Sequence, residues 1–121
     1  MITFNDFQKI EIEVGTVLSA EKVDGSEKLL KLSVDFGESP PRQVISGIAK
    51  TFSPDGKMEK LVGKQFLFVT NLEPRAIMGL DSQAMILAAH KPNKKRPAGE
   101  AGEEIVLMKP TKKIPNGSSL G

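Results

Sequence analysis

Two short runs of basic residues are the most prominent chemical feature of the sequence. Residues 90–97 read HKPNKKRP and residues 109–113 read KPTKK, and neither run contains an acidic residue. The basic side chains of the first run are Lys91, Lys94, Lys95 and Arg96. Runs of this kind either keep a loop and a tail solvated or contact the phosphate groups of a polyanion. They are the first candidate binding residues of the chain.

The net charge is small but uneven along the chain. There are 17 Lys and Arg against 15 Asp and Glu, a formal net charge of +2. Residues 1–60 carry 8 basic and 10 acidic residues, a net charge of −2, and residues 61–121 carry 9 basic and 5 acidic residues, a net charge of +4. The total alone does not indicate a nucleic-acid-binding protein, but the basic second half favours an anionic partner.

Residue types suited to catalysis or metal binding are scarce. The sequence has no cysteine, which excludes disulfides and thiolate chemistry, and its single histidine, His90, excludes multi-histidine metal sites. Ser46, Ser82 and Asp81 have only His90 as a possible general base, and His90 falls where the predicted fifth strand ends at the basic run. The glycines match neither a dinucleotide fingerprint nor a phosphate-binding loop. We expect a binding protein without a cofactor rather than an enzyme.

Length and hydropathy predict one domain, residues 1–121, without a membrane span. A chain of 121 residues with 39% hydrophobic residues suffices for one core. The longest apolar run is residues 84–89, and the N-terminus is polar where a signal peptide would be basic and then apolar. With no cysteine, these features favour a cytoplasmic protein.

The first elements are predicted to be a capped helical turn and a bent strand. Thr3 and Asp6 have the spacing of a capping box, and Phe4 and Phe7 are expected to face inward together. Residues 10–14 then alternate apolar and acidic, which indicates a strand with one buried face. Gly15 interrupts this alternation, so the strand should bulge or bend there and could serve two sheets.

The remaining pattern predicts a small all-β barrel. After a turn at Asp24-Gly25, strand patterns occupy residues 29–36, 42–49, 65–71, 83–90 and 103–108, the third and fourth of these being covered on both faces. One short helix is expected around residues 57–62, and residues 72–82 are read as a loop. This order favours a five-stranded Greek-key OB-fold barrel at about residues 10–90 with short helices and a C-terminal extension at about 91–121, with a β-sandwich as the second choice.

Aromatic residues that could stack on nucleic-acid bases are few. The sequence has no Trp and no Tyr, and of its six Phe residues Phe66 and Phe68 read as core. Only Phe36 and Phe52 are left as stacking candidates, and packing explains each of them better. A nucleic-acid-binding role would therefore rely on phosphate contacts and RNA shape.

Several segments together resemble one family, the C-terminal tRNA-binding domain of methionyl-tRNA synthetases and its stand-alone relatives, which include the CsaA export chaperone. The ordered set SGIA, VGK, NLEPR, MG and S-x-x-M-x-LAA, within residues 46–89, carries the resemblance. Looser similarity extends it over most of residues 4–117. The resemblance implies an OB-fold module that binds tRNA without catalysis, alone or in trans as a methionyl-tRNA synthetase beta subunit. It also implies a homodimer formed through the segment after the barrel, where residues 103–108, EEIVLM, form an apolar patch.

The resemblance implies a set of RNA-binding residues. Arginine and lysine would contact phosphate or base edges, asparagine and serine would supply neutral hydrogen bonds, and methionine would contact an unstacked base. The set is Lys28, Arg42, Ser46, Asn71, Arg75, Met78, Ser82 and Met85. For Met85, core packing is an equal alternative.

The sequence departs from the family pattern in its charges. Glu13 stands where the family usually has arginine, and Ala76 stands where a second basic residue usually follows Arg75. The departures predict weaker tRNA binding, or contacts shifted toward the basic residues of the run at 90–97. They also leave open the chaperone alternative, in which a dimer presents a groove to unfolded peptides.

Overall fold

The structure is a computed structural model that describes residues 1–91 and 104–121. It has two short α-helices, α1 (Phe4–Gln8) and α2 (Ala49–Phe52), and a 3-10 turn at Pro54–Gly56. The strands are β1 (Ile12–Lys22), β2 (Leu30–Asp35), β3 (Arg42–Ser46), β4 (Gln65–Val69), β5 (Arg75–Ile77), β6 (Leu80–Ser82), β7 (Met85–Ile86), β8 (Ala88–Lys91), β9 (Glu104–Leu107) and β10 (Ser119–Leu120). No helix in the described part of the chain is long and apolar enough to cross a membrane.

The strands form a nearly closed antiparallel barrel, which confirms the predicted OB-like fold. The main sheet has the order β3-β2-β1-β4-β7, and β10 pairs with the beginning of β1. Two antiparallel pairs, β5 with β6 and β8 with β9, complete the described strands. The alternating side chains of β2, Leu30, Leu32 and Val34, are all buried, as the period of two predicts.

Strand β1 changes its main partner along its length within one sheet, rather than joining two sheets. Ile12–Thr16 pair with β4, and Thr16–Lys22 pair with β2. The register irregularity lies between Val17 and Ser19, however, and not at Gly15, which pairs regularly with Phe66. Gly15 is required for packing instead, because a Cβ there would lie 2.6 Å from Cγ1 of Val34.

Replacing Gly15 by alanine should therefore destabilise the barrel. Besides Val34, the added methyl would meet the ring of Phe36 at 2.7 Å, and overpacking of this kind costs about 1–3 kcal/mol of unfolding free energy. Urea unfolding followed by far-UV circular dichroism measures the loss. Gly47→Ala is the matched control, because nothing lies within 4 Å of its added Cβ. An equal effect of the two substitutions would contradict the packing argument.

The core confirms some of the aromatic assignments and corrects others. Phe66 and Phe68 are buried, as predicted. Phe36 is buried too and meets Phe68 edge-on, with ring centroids 5.1 Å apart, so it offers no stacking surface. The capping box of α1 is present, but the inward orientation of its two aromatic residues is wrong, because Phe4 is 70% and Phe7 41% exposed. A helix of five residues is a single turn, and α1 buries none of its residues.

Three local predictions in the second half of the barrel are wrong. The helix lies at α2 rather than around residues 57–62, where successive i,i+3 backbone hydrogen bonds form turns instead. The segment read as a loop contains the β5–β6 hairpin, whose tip has positive φ at Met78 (49°) and Gly79 (77°). The strand expected at 83–90 is two short strands, one paired with β4 and the other with β9, and its outer side is exposed.

Candidate nucleic-acid interface

The β5–β6 hairpin is attached to β3 by a buried hydroxyl. Ser82 Oγ accepts a hydrogen bond from the backbone N–H of Ile45 at 3.0 Å and donates one to the carbonyl of Ala84 at 3.0 Å. Ser82 is buried, and these two hydrogen bonds satisfy its hydroxyl inside the protein. The structure thus places this predicted RNA-binding residue inside the barrel wall.

Glutamine side chains extend the same connection. The backbone N–H of Gln43 donates to Oε1 of Gln83 at 2.8 Å, and the backbone N–H of Gln83 donates to the carbonyl of Gln43 at 2.8 Å. Nε2 of Gln43 also donates to the carbonyl of Asp81 at 2.9 Å. These contacts fix the hairpin along β3.

The hairpin and the β1–β2 turn beneath its tip carry three exposed residues that the sequence predicts to bind RNA. Met78, at the tip, is 59% exposed, and its Cε lies 3.8 Å from the position a Cβ on Gly25 would occupy, so the tip lies over the β1–β2 turn. The same turn carries the exposed Lys28, and Arg75 is exposed at the base of the hairpin. We call Lys28, Arg75 and Met78 the hairpin face. Ser46, half-buried, pairs with Leu30 next to this turn.

Arg42 makes its contacts within the protein. Its Nε donates to Oε1 of Glu38 at 2.7 Å, and its Nη1 donates to the carbonyl of Thr70 at 2.7 Å and to that of Gln83 at 3.4 Å. The guanidinium also lies over the ring of Phe36, 5.4 Å from the centroid. Arg42 therefore connects β3 to the end of β4 and to the segment before β7.

Asn71 is likewise engaged by the backbone. Its Oδ1 accepts from the N–H of Glu11 at 2.8 Å, and its Nδ2 donates to the carbonyl of Lys9 at 2.6 Å. The side chain fastens the N-terminal segment to the end of β4. Beside it, the hydroxyl of Thr70 donates to the carboxylate of Glu13, so the acidic residue that departs from the family pattern has a partner in the barrel.

The remaining predicted RNA-binding residues lie on β7 and β8 or outside the residues that the structure describes. Met85 is 47% exposed on β7, opposite Val69, so the core alternative for it is wrong. Lys91 is exposed at the end of β8, opposite Glu104. Lys94, Lys95 and Arg96 lie outside the described residues.

One basic feature was missed by the sequence patterns. A groove of about 980 Å³ runs between residues 51–66 and residues 104–113, and six lysines line it. Three belong to the KPTKK run, but the other three are spaced along residues 57–64, where the sequence shows no run. Only the fold brings the two sets together.

The amino-acid sequence is similar to those of known proteins. A family described as a putative tRNA-binding domain matches residues 12–119. The methionine-tRNA ligase of Methanothrix thermoacetophila is 42% identical over 120 residues, which are 99% of this chain and 16% of the ligase. The chain therefore spans a small part of the length of such curated relatives.

Two solved structures have the same fold over the whole chain. The crystal structure of a MetRS-related protein from Pyrococcus horikoshii matches with a TM-score of 0.81 and 32% identity, covering 100% of this chain and 98% of that chain. The chaperone CsaA from Bacillus anthracis matches with a TM-score of 0.79 and 30% identity, covering 100% of this chain and 99% of that chain.

Proposed function

Because the chain belongs to the putative tRNA-binding domain family, we propose that it binds tRNA through the hairpin face and catalyses no reaction itself. The family match over residues 12–119 carries the proposal. The exposure of Lys28, Arg75 and Met78, all within family-like segments, supports the choice of surface. An exposed arginine and lysine can contact phosphate or base edges, and an exposed methionine can contact an unstacked base.

The other family-like residues fall into two groups in this proposal. Ser46 borders the hairpin face and would add a neutral hydrogen bond, and Met85 would extend the contact along β7. Lys91, which belongs to the basic run at 90–97 and not to the family-like residues, would extend it along β8. Arg42, Asn71 and Ser82 would act as positioning residues, since their polar atoms already hold the hairpin, β4 and the N-terminal segment in place.

We further propose that the protein works in the cytoplasm, alone or as a separate tRNA-binding subunit for methionyl-tRNA synthetase. The similarity of the chain to one part of a methionine-tRNA ligase supports a role beside that enzyme. Co-purification of the tagged full chain with endogenous RNA and protein tests both versions.

The central experiment is a titration of the full chain with tRNA across salt concentrations. If about four phosphates are contacted, the logarithm of affinity should fall with the logarithm of salt concentration at a slope near −3, using the single-strand coefficient of about 0.7 per phosphate. Failure to bind tRNA at low salt would overturn the proposal.

Arg75→Ala should weaken tRNA binding by about 1–3 kcal/mol if the arginine contacts a base edge, and by less if it meets only phosphate. Fluorescence anisotropy with labelled tRNA measures the change. Arg75→Lys is the matched variant, because it keeps the charge and loses the bidentate fork. If Arg75→Ala binds as the unmodified chain does, Arg75 lies outside the interface.

We also propose that the protein forms a homodimer. We place the interface at the N-terminal segment and not at the segment after the barrel, which the family resemblance implied. Within the EEIVLM patch, Ile105 and Leu107 are buried in the chain's own core and Val106 is 49% exposed, so the patch offers a partner little apolar surface. Exposed apolar side chains instead crowd the N-terminal segment, namely Met1, Ile2, Phe4, Phe7 and Ile10. An apolar face of this kind favours burial against a second copy. Light scattering tests the proposal, and a monomer at micromolar concentration would contradict it.

A second candidate function is peptide binding as a chaperone, favoured by the similarity to CsaA. The discriminating measurement is suppression of aggregation of an unfolded client protein, with and without saturating tRNA. Suppression that tRNA abolishes would indicate one shared surface, and no suppression would dismiss this candidate.

A further inference from the structure

The groove between residues 51–66 and 104–113 has a charge that its own residues do not neutralise. Six exposed lysines and one acidic residue, Glu104, are the charged residues that line it. The lysines are Lys57, Lys60, Lys64, Lys109, Lys112 and Lys113. Within residues 1–91 and 104–121, none of the six forms an ion pair. Six like charges around one cavity raise the local positive potential and attract an anion.

The lysines come from both sides of the groove. Three are supplied by the turns of residues 57–64 and three by the chain after β9. A linear polyanion lying along the groove would therefore meet ammonium groups on either side. We call these residues and the cavity between them the lysine groove.

The floor of the lysine groove is apolar and includes a partly exposed aromatic ring that packs against the core. Phe52, at the end of α2, is half-buried and lines the groove, with the buried Leu61 and Phe66 beside it. A basic groove with an aromatic ring on its floor is the combination that single-stranded nucleic acids require, because phosphates meet the cations while a base stacks on the ring. An acidic peptide would use the lysines but would have no need of the ring.

We infer that the lysine groove is a second RNA-binding surface, which holds the phosphates of a single-stranded RNA segment between its two sets of lysines and a base against Phe52. This inference rests on the proposed tRNA-binding function and adds a site to it. The groove reaches Thr16, whereas the hairpin face lies beside the turn that follows Lys22. Six residue steps along β1 separate these points, at most about 20 Å at about 3.3 Å per step, so the groove and the hairpin face lie at opposite ends of this part of β1.

The test compares variants of the lysine groove with a control of equal charge. The double variant Lys60→Gln/Lys112→Gln removes one ammonium from each side, and Lys9→Gln/Lys50→Gln removes two lysines that do not line the groove. We expect the groove variant to bind tRNA and a single-stranded oligouridylate about tenfold more weakly and to lower the salt slope by about 1.4, at about 0.7 per phosphate contact. The control should change both quantities much less.

A substitution of Phe52 tests the stacking contact separately from the charge contacts. Phe52→Leu keeps an apolar floor, so it should weaken oligouridylate binding while the salt slope stays unchanged, because stacking releases no counterions. Circular dichroism verifies that each variant is folded.

The outcomes separate this inference from the proposed function. If the unmodified chain fails to bind tRNA, the proposed function fails and the inference falls with it. If the chain binds tRNA and Arg75→Ala weakens binding, but the groove variant behaves like its control, the inference alone is overturned. Loss of polyglutamate binding by the groove variant, with RNA binding intact, would overturn it in favour of an acidic polypeptide.

Discussion

Phe68→Ala is expected to reduce the free energy of unfolding by about 3–5 kcal/mol, the range for deletion of a buried aromatic side chain. Phe68 has a relative exposure of 0% and is the largest fully buried side chain described. It lies on β4 between β1 and β7 and meets the ring of Phe36 edge-on. The substitution therefore leaves a cavity at the centre of the barrel. Because domains of this size are stable by about 5–15 kcal/mol, the loss is a large share of the total.

Urea unfolding of Phe68→Ala is best followed by far-UV circular dichroism, since the chain has no Trp and no Tyr for fluorescence. Leu72→Ala is the control, because it truncates an apolar side chain at a position 48% exposed and should change stability by less than about 0.5 kcal/mol. Comparable losses in the two variants would mean that the barrel core is not centred on Phe68.

A strand of the barrel was predictable wherever apolar and polar residues alternate along it. In β2 the buried side chains recur every second residue, and this local regularity holds whichever strands pair with it. The hairpin at 75–82 was not predictable in the same way. Its strands have three residues each, too few to show a period, and its turn uses a positive φ at Met78, a residue that rarely adopts it.

The candidate site, too, was only partly predictable from the sequence. The sequence motifs predict a set of polar binding residues, but the exposure of each depends on partners far along the chain. Asn71 bonds to Glu11, 60 residues away, and Ser82 bonds to Ile45, 37 residues away. The lysine groove forms only when residues 104–113 pass beside residues 51–66. Each of these contacts is set by tertiary packing, so no local pattern reports it.

Arg42→Ala should reduce the free energy of unfolding by about 2–3 kcal/mol. The substitution removes a charge-assisted hydrogen bond to the carbonyl of Thr70, for which about 1.5–3 kcal/mol is typical, and leaves that carbonyl without its donor. It also removes the guanidinium from the face of Phe36. The exposed pair with Glu38 adds little. Arg42→Lys should recover only part of the loss, because one ammonium cannot replace a planar fork that reaches several acceptors.

The same variant distinguishes a positioning role for Arg42 from direct contact with RNA. Two of the three guanidinium nitrogens already have protein partners. We therefore expect that Arg42→Ala, kept folded at low temperature, binds tRNA with the same dependence of affinity on salt concentration as the unmodified chain. A slope reduced by about 0.7–0.9 would reveal a lost phosphate contact and return Arg42 to the interface. Arg75→Ala provides the comparison, because Arg75 is exposed at the base of the hairpin and its loss should change affinity without changing stability. Opposite behaviour of the two arginines would show that the barrel wall and the hairpin face have separate roles, and matching behaviour would contradict that division.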